Sequence, residues 1–145
     1  METKSRTFGI IVGTIAVLSL LMSPLLGAQA TKGGNPKAAA LKNPVKPTAD
    51  SIRRGRQAYM KACRHCHGMN GLGDGPLAPK NPKPADLTDD TWDYGSTDGE
   101  IFTVIASGVG GNSEMKGVRG EVTTTDMWHI VNYLRSIGQS PPKNP

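Results

Sequence analysis

Apolar residues recur at helical spacing in three stretches of the chain, and no stretch alternates apolar and polar residues with a period of two. The first predicted helix covers residues 48–66. The second follows a capping box at residues 97–100 and stops at Gly108. The third follows Thr123, and its apolar positions are Met127, Ile130, Val131, Leu134 and Ile137. We therefore predict an all-α fold of three to five short helices.

The segments between these helices are too rich in Gly and Pro to form regular structure. Residues 68–86 hold four Gly and four Pro, and a second Gly-rich loop covers residues 108–122. Residues 31–47 mix Pro, Gly, Ala and Lys, which is typical of a flexible tether. The whole chain has only two Phe and two Trp. Short helices with so few large apolar side chains bury little surface, so we expect another group to fill the centre.

The first 30 residues resemble an export signal. Two basic residues, Lys4 and Arg6, precede an uncharged run over residues 8–28, and Ala28-Gln29-Ala30 fits a signal-peptidase site. The same run is long enough to act as an uncleaved membrane anchor. Both interpretations place the domain outside the cytoplasm, in the periplasm or an equivalent compartment, with membrane contact only if residues 8–28 are retained.

Both cysteines and two of the three histidines lie in the run CRHCHG, residues 63–68. A zinc site requires four ligands, and no second pair stands at a usable spacing. A thioredoxin-like dithiol normally follows a strand and opens a helix, whereas this motif ends a predicted helix. A CxxCH motif, here Cys63, Cys66 and His67, is the arrangement for covalent haem: two thioethers and an adjacent axial His. Haem c would also supply the missing core.

The chain resembles the small class I monohaem cytochromes c over roughly residues 48–138. Gly55 and Tyr59 stand eight and four residues before Cys63, as the family's Gly and aromatic do, and the last helix carries the family pattern at Trp128, Val131, Tyr133 and Leu134. The resemblance implies a cytochrome c domain over residues 48–140, followed by a tail at 141–145. It also implies that two helices cross closely at the Gly and that long loops wrap around one covalent haem.

A low-spin electron-transfer haem needs a second axial ligand, and Met115 fits by position. It lies 48 residues after His67, in a Gly-rich loop between two helices, where the family has its distal Met. Many relatives have Pro after this Met, whereas Lys116 follows it here. The alternatives are His129 or an open position, while Met127 is expected to be core packing. The metal ligands predicted are therefore His67 and Met115.

Two further residues are expected around the haem. An axial His usually donates its other ring N–H to a carbonyl, and the family uses a loop Pro, for which Pro76 is the nearest candidate. Trp92 or Tyr94 is in a position to reach a propionate, with core packing as the alternative.

The net charge of +5 is too weak to indicate nucleic-acid binding, but the charges are unevenly distributed. Residues 32–64 hold nine basic residues and one acid, whereas residues 74–126 hold ten acids and four basic residues. Such asymmetry would orient the domain toward a charged partner during diffusional encounter; the alternative is ordinary solvated surface charge. We expect one-electron transfer rather than catalysis. The alternatives are a haem-bearing subunit of a larger dehydrogenase or oxidase complex, and a gas-sensing or peroxidase-like protein with an open iron.

Overall fold

The structure, a computed structural model, describes residue 30, residues 32–111 and residues 113–138. These residues contain five helices: α1 (Pro36–Ala39), α2 (Ala49–Ala62), α3 (Arg64–His67), α4 (Asp98–Ser107) and α5 (Thr124–Ile137). Within the same ranges there is no strand, only two isolated bridges. The predicted all-α architecture is confirmed. The predicted leader, except Ala30, and the predicted tail lie outside the described residues.

The three long helices begin at hydroxyl caps. The side chains of Thr48, Thr97 and Thr123 each accept a hydrogen bond from a backbone N–H in the first turn. Glu100 returns the interaction by accepting from the backbone of Thr97, which completes a capping box at α4. The helix starts predicted from the sequence are therefore confirmed to within a residue.

The helices α2 and α5 cross at Gly55. A Cβ atom at this position would overlap the carbonyl oxygen of His129 and would lie 2.8 Å from the Cβ of Tyr133. Only a residue without a side chain permits this approach. One turn later the Tyr59 and Tyr133 rings meet with their centroids 5.2 Å apart. The close crossing predicted at this glycine is confirmed.

Hydrogen bonds between buried side chains fix the register of this crossing. The Nδ1 atom of His129 lies 2.8 Å from the hydroxyl of Ser51. The amide of Asn132 donates to the same hydroxyl at 2.8 Å and accepts from the side chain of Asn43 at 2.9 Å. Because buried polar groups are costly when unpaired, these bonds favour one alignment of the helices.

The predicted tether is wrong for its described part, residues 32–47, because this segment packs on the domain. Asn35 caps α1, and its backbone N–H donates to Oε1 of Glu100 at 2.8 Å. Ala38 is only 2% exposed. The backbone N–H of Gly33 donates to the carbonyl of Asp93 at 2.7 Å. An N-cap Asn followed by Pro at the first helical position is typical of a helix N-terminus, but the prediction of a tether considered only the composition of the segment.

The core lies between α2, α4 and α5. The rings of Phe102 and Trp128 stack with centroids 4.0 Å apart, which joins α4 to α5. Met127 is 1% exposed and belongs to this core, as predicted for a packing residue. Within the described ranges, no helix has both the length and the hydrophobicity required to span a membrane.

Candidate haem-binding site

The CRHCH run forms one helical turn directly after α2. Cys63 joins α2 to α3, and its carbonyl accepts from the backbone N–H of His67 at 3.0 Å. Residues three and four apart on a helix share a face. Cys63, Cys66 and His67 accordingly line the same cavity. His65, the intervening residue, is exposed, as expected for a position that only spaces the motif.

The imidazole of His67 has the tautomer that an axial ligand requires. Its Nδ1 atom lies 3.2 Å from the carbonyl oxygen of Ala85. A carbonyl only accepts, so Nδ1 carries the proton and Nε2 keeps its lone pair. Burial lowers the pKa of His67, and the Ala85 hydrogen bond opposes that shift only in part. The ring is therefore neutral at neutral pH and is able to bind a metal through Nε2.

Ala85 stands where the sequence had suggested Pro76, and that assignment is wrong. Pro76 is exposed and does not line the cavity. The reason is the course of the loop: the N–H groups of Gly75 and Leu77 donate to the carbonyls of Cys66 and His65 at 3.1 and 2.7 Å. These bonds hold Pro76 against the backbone of the motif, and the chain reaches the His67 ring only later.

Both cysteines are free thiols. Burial, and then the neighbouring Cys66, raises the pKa of the Cys63 thiol to about 12. Redox-active dithiols have the opposite property, a thiolate stabilised by a lowered pKa. The environment of Cys63 is therefore not that of a thioredoxin-like redox dithiol.

Met115 lines the same cavity as His67. Its loop is closed at the base by an isolated bridge between Gly108 and Lys116. Its carbonyl accepts from the backbone of Val109 at 3.3 Å, and its N–H donates to the hydroxyl of Ser113 at 3.1 Å. These backbone contacts brace the loop although no Pro follows the Met.

His129, the alternative axial ligand, makes its hydrogen bond outside the cavity. It is 9% exposed, is bonded to Ser51 in the α2–α5 crossing, and does not line the cavity. Of the two candidates, only Met115 shares a cavity with His67.

The remaining cavity wall is mainly apolar and comes from α2, α4, α5 and the two long loops. Its apolar members from the helices are Tyr59, Ile101, Val104, Ile105, Ile130 and Leu134. Trp92 also lines it, and its Nε1 atom is buried without a hydrogen-bond partner in the part of the chain that the structure describes. Buried donors are seldom left unpaired, so this atom indicates an acceptor supplied by a bound group.

Arg135 packs against the indole ring of Trp92. The guanidinium lies 5.7 Å from the centre of the indole ring. It is also paired with Asp98 at 2.8 Å and donates to the carbonyl of Ser96 at 2.6 Å. The side chain of Arg135 thus joins the end of α5 to the start of α4 and to the loop that carries Trp92.

Comparison with known proteins places this arrangement in a family. Residues 50–134 match the family model described as cytochrome c oxidase, cbb3-type, subunit III. The chain belongs to this family. The matched range contains the CxxCH motif, Gly55, Met115 and most of α5.

A curated relative has a named role. The chain is 36% identical over 88 residues to the cbb3-type cytochrome c oxidase subunit FixP of Azorhizobium caulinodans, which covers 61% of this chain. It spans only 28% of that relative's length.

Solved structures agree on the fold. The cytochrome cL of Methylophaga aminisulfidivorans is 29% identical with a TM-score of 0.50, covering 62% of this chain and 57% of the other. That of Hyphomicrobium denitrificans is 25% identical with a TM-score of 0.55, covering 68% and 53%. A chain of the Kuenenia stuttgartiensis reducing HAO-like protein complex is 28% identical with a TM-score of 0.61, covering 70% and 49%.

Family and fold together confirm that this is a class I c-type cytochrome domain, the class of domain that binds haem. The residues present fit that group. The cavity offers two thiols, a neutral imidazole with a free Nε2, a thioether and an unpartnered indole N–H. The sequence had predicted that the thiols, His67 and Met115 bind haem, and the structure places them around one cavity. It gave no indication of Ala85, because a backbone acceptor leaves no signal in side-chain patterns.

Proposed function

We propose that this domain carries single electrons by means of one haem c, attached through Cys63 and Cys66 and ligated by His67 and Met115. The bound haem supplies the one-electron chemistry, since its iron alternates between the ferrous and ferric states. The observation that carries the proposal is the lining of one cavity by both cysteines, His67 and Met115.

Each side chain has a distinct task. The thiols of Cys63 and Cys66 would form the thioether bonds to the two vinyl groups. The carbonyl of Ala85 holds the proton of His67 at Nδ1, which would leave Nε2 available to bind the iron. The thioether of Met115 is a soft, neutral ligand that favours ferrous iron. Trp92 would donate its indole N–H to a propionate, and the apolar wall would exclude water.

The same domain suits a subunit of a larger membrane complex as well as a free carrier. The observation favouring a subunit is that both FixP and the HAO-like relative are named as parts of complexes. We propose that its partners are extracytoplasmic redox proteins of a membrane oxidase or dehydrogenase system. An extracytoplasmic location follows from covalent haem together with the predicted leader, whether that leader is cleaved or kept as an anchor.

The ligand assignment is tested by substitution of Met115. Met115→Ala should open the iron, so that the ferrous protein binds carbon monoxide readily and the ferric protein loses the weak red band of sulfur ligation. Met115→His should keep the iron low-spin but lower the reduction potential, because imidazole favours ferric iron more than a thioether does. Absorption spectra and potentiometric titration provide the readouts.

The matched control is Met127→Leu, which repacks a buried position outside the cavity. It should leave both the spectrum and the potential unchanged. If Met115→Ala kept the wild-type spectrum and did not bind carbon monoxide, another side chain would have to ligate the iron, and the assignment of Met115 would be wrong.

A further inference from the structure

A groove on the outer face of α2 is separate from the haem cavity and shares no lining residue with it. One side consists of residues at helical spacing on the last two turns of α2 and the first residue of α3. The other side is the turn that follows the CxxCH motif. The residues that line this α2 groove are Arg56, Gln57, Met60, Lys61, Arg64 and Met69.

Among the described residues, the three cations of the α2 groove have no counter-ion. None of them takes part in an ion pair among the described residues, and no acidic side chain lines the groove. The contrast lies one turn earlier on the same helix, where Asp50 pairs with both Arg53 and Arg54. Lys61 lies in the last turn of α2, where a cation interacts favourably with the helix dipole, but Arg56 lies in the helix interior, where this effect does not reach. Helix stability therefore does not account for the whole cluster.

Apolar surface accompanies these charges. Met60 packs partly against the core, and Met69 is 61% exposed. Methionine is flexible and polarisable, and it is overused at adaptable binding surfaces. A thioether centre with a cationic rim matches the pattern of protein interfaces, in which the rim steers the encounter and the apolar centre contributes contact area.

The α2 groove is also next to the proposed electron-transfer site. Arg64 lies between the two cysteines, and Met69 is two residues beyond His67. A protein seated in the groove would contact the turn to which the haem is attached. By contrast, the haem cavity is lined by three acidic residues, Asp86, Asp93 and Glu114, and by one cation, Lys83.

We propose that the α2 groove is the docking site for an acidic face of the electron-transfer partner. This inference rests on the proposed function, because docking matters here only if the domain carries electrons. The unpaired cations select an acidic surface, and their position brings that surface to the CxxCH turn.

The test uses the full haem-loaded protein and reduced flavodoxin, an acidic one-electron donor, as the probe. The triple variant Arg56→Glu, Lys61→Glu, Arg64→Glu should lower the second-order rate of reduction at low ionic strength by about tenfold or more, and it should abolish the decrease of the rate with salt. Met69→Ser should leave the salt dependence intact and reduce the rate by a smaller factor, because it removes contact area and no charge.

The matched control changes the net charge by the same amount elsewhere: Lys32→Glu, Lys37→Glu, Lys42→Glu. These lysines are exposed and lie in the segment packed on α4. The control should keep most of the wild-type rate. An equal loss in both triple variants would mean that only net charge matters, and the proposal would be overturned. A wild-type rate independent of salt would overturn it as well.

Two further measurements separate other outcomes. Reduction by ascorbate and the reduction potential report whether the haem is present and redox-active. If ascorbate does not reduce the wild-type protein, the result contradicts the proposed function rather than the docking site. Binding to vesicles that contain anionic lipid tests a membrane surface as the occupant. Loss of vesicle binding in the groove variant, with unchanged flavodoxin rates, would assign the groove to lipid and would overturn the proposal.

Discussion

The α2–α5 crossing and the haem cavity are built from the same helices but differ in how they are completed. At the crossing, Tyr59 and Val131 are fully buried, and the Ser51, His129 and Asn132 side chains all have partners. At the cavity, two thiols are free and the Nε1 atom of Trp92 has no hydrogen-bond partner among the described residues. The chain's own atoms complete the first region, whereas the second offers the groups that the proposed haem would bind.

Tyr59 links the two regions. Its ring packs on Tyr133 in the crossing and also lines the cavity, while its hydroxyl donates to the carbonyl of Gly68 at 2.7 Å. Gly68 directly follows His67, so this bond attaches the end of the haem motif to the crossing. The crossing thereby helps to orient His67, the proposed axial ligand.

The largest effect is expected from a break in the crossing. Gly55→Ala places a Cβ atom against the backbone of His129, which cannot withdraw without separating the helices. We expect a loss of at least about 3 kcal/mol in the free energy of unfolding, or a failure to fold, measured by urea denaturation or by yield.

A glycine without this close contact provides the control. Gly111 has a φ of +58° and nothing within 4 Å of an added Cβ. Gly111→Ala should therefore cost only the backbone strain, about 1–2 kcal/mol. If the two substitutions cost the same, the close crossing would not be what makes Gly55 necessary.

A smaller effect, on function rather than folding, is expected at the cavity. Trp92→Phe removes the unpartnered indole N–H. If that N–H donates to a propionate, its loss leaves more negative charge near the iron, and the reduction potential of the haem-loaded protein should fall. The decrease should be smaller than that caused by Met115→His, because the coordination of the iron is unchanged.

Trp128→Phe is the matched substitution in the protein-only region. Trp128 stacks on Phe102 and does not line the cavity. The Trp128→Phe substitution should lower the free energy of unfolding and leave the reduction potential of the haem unchanged. Equal shifts of potential in both variants would show that the indole of Trp92 has no particular role toward the haem.

The smallest effect is expected at the start of α4, where Glu100 accepts a hydrogen bond from the segment before α2. Burial opposes ionisation of Glu100, but hydrogen bonds from the backbone of Thr97 and Asn35 and from the Thr97 hydroxyl outweigh it and hold the pKa below its usual value. The stabilisation is therefore complete above the ordinary pKa of glutamate and is lost as the pH falls through the lowered pKa.

Glu100→Gln should remove this pH dependence and cost about 1 kcal/mol at neutral pH, measured as unfolding free energy over a pH series. Glu121→Gln, at an exposed position, serves as the control. It should change neither the unfolding free energy at neutral pH nor its dependence on pH. A Glu100→Gln protein that retained the wild-type pH profile would mean that another carboxylate is responsible.

The sequence was informative wherever side chains alone determine the structure. The three long helices, their threonine caps and the CxxCH turn follow from periodicity and spacing, whereas the close crossing at Gly55 was implied by the family resemblance. The packing of residues 32–47 was missed, because a one-turn helix has almost no periodic signal and its stability comes from tertiary contacts with Glu100 and α4. The partner of His67 was missed because the fold of a loop brings the Ala85 carbonyl to the ring, and side-chain patterns do not indicate that fold.

Covalent attachment of haem is the central claim, and it is tested most directly by extraction of the purified, exported protein with acidified acetone, followed by the pyridine haemochrome spectrum of the denatured chain. We expect the wild type to retain its haem and to show the spectrum of a porphyrin with both vinyl groups saturated. The Cys63→Ala, Cys66→Ala variant should lose all haem to the solvent. Release of haem from the wild type, or covalent retention in the double variant, would contradict the account.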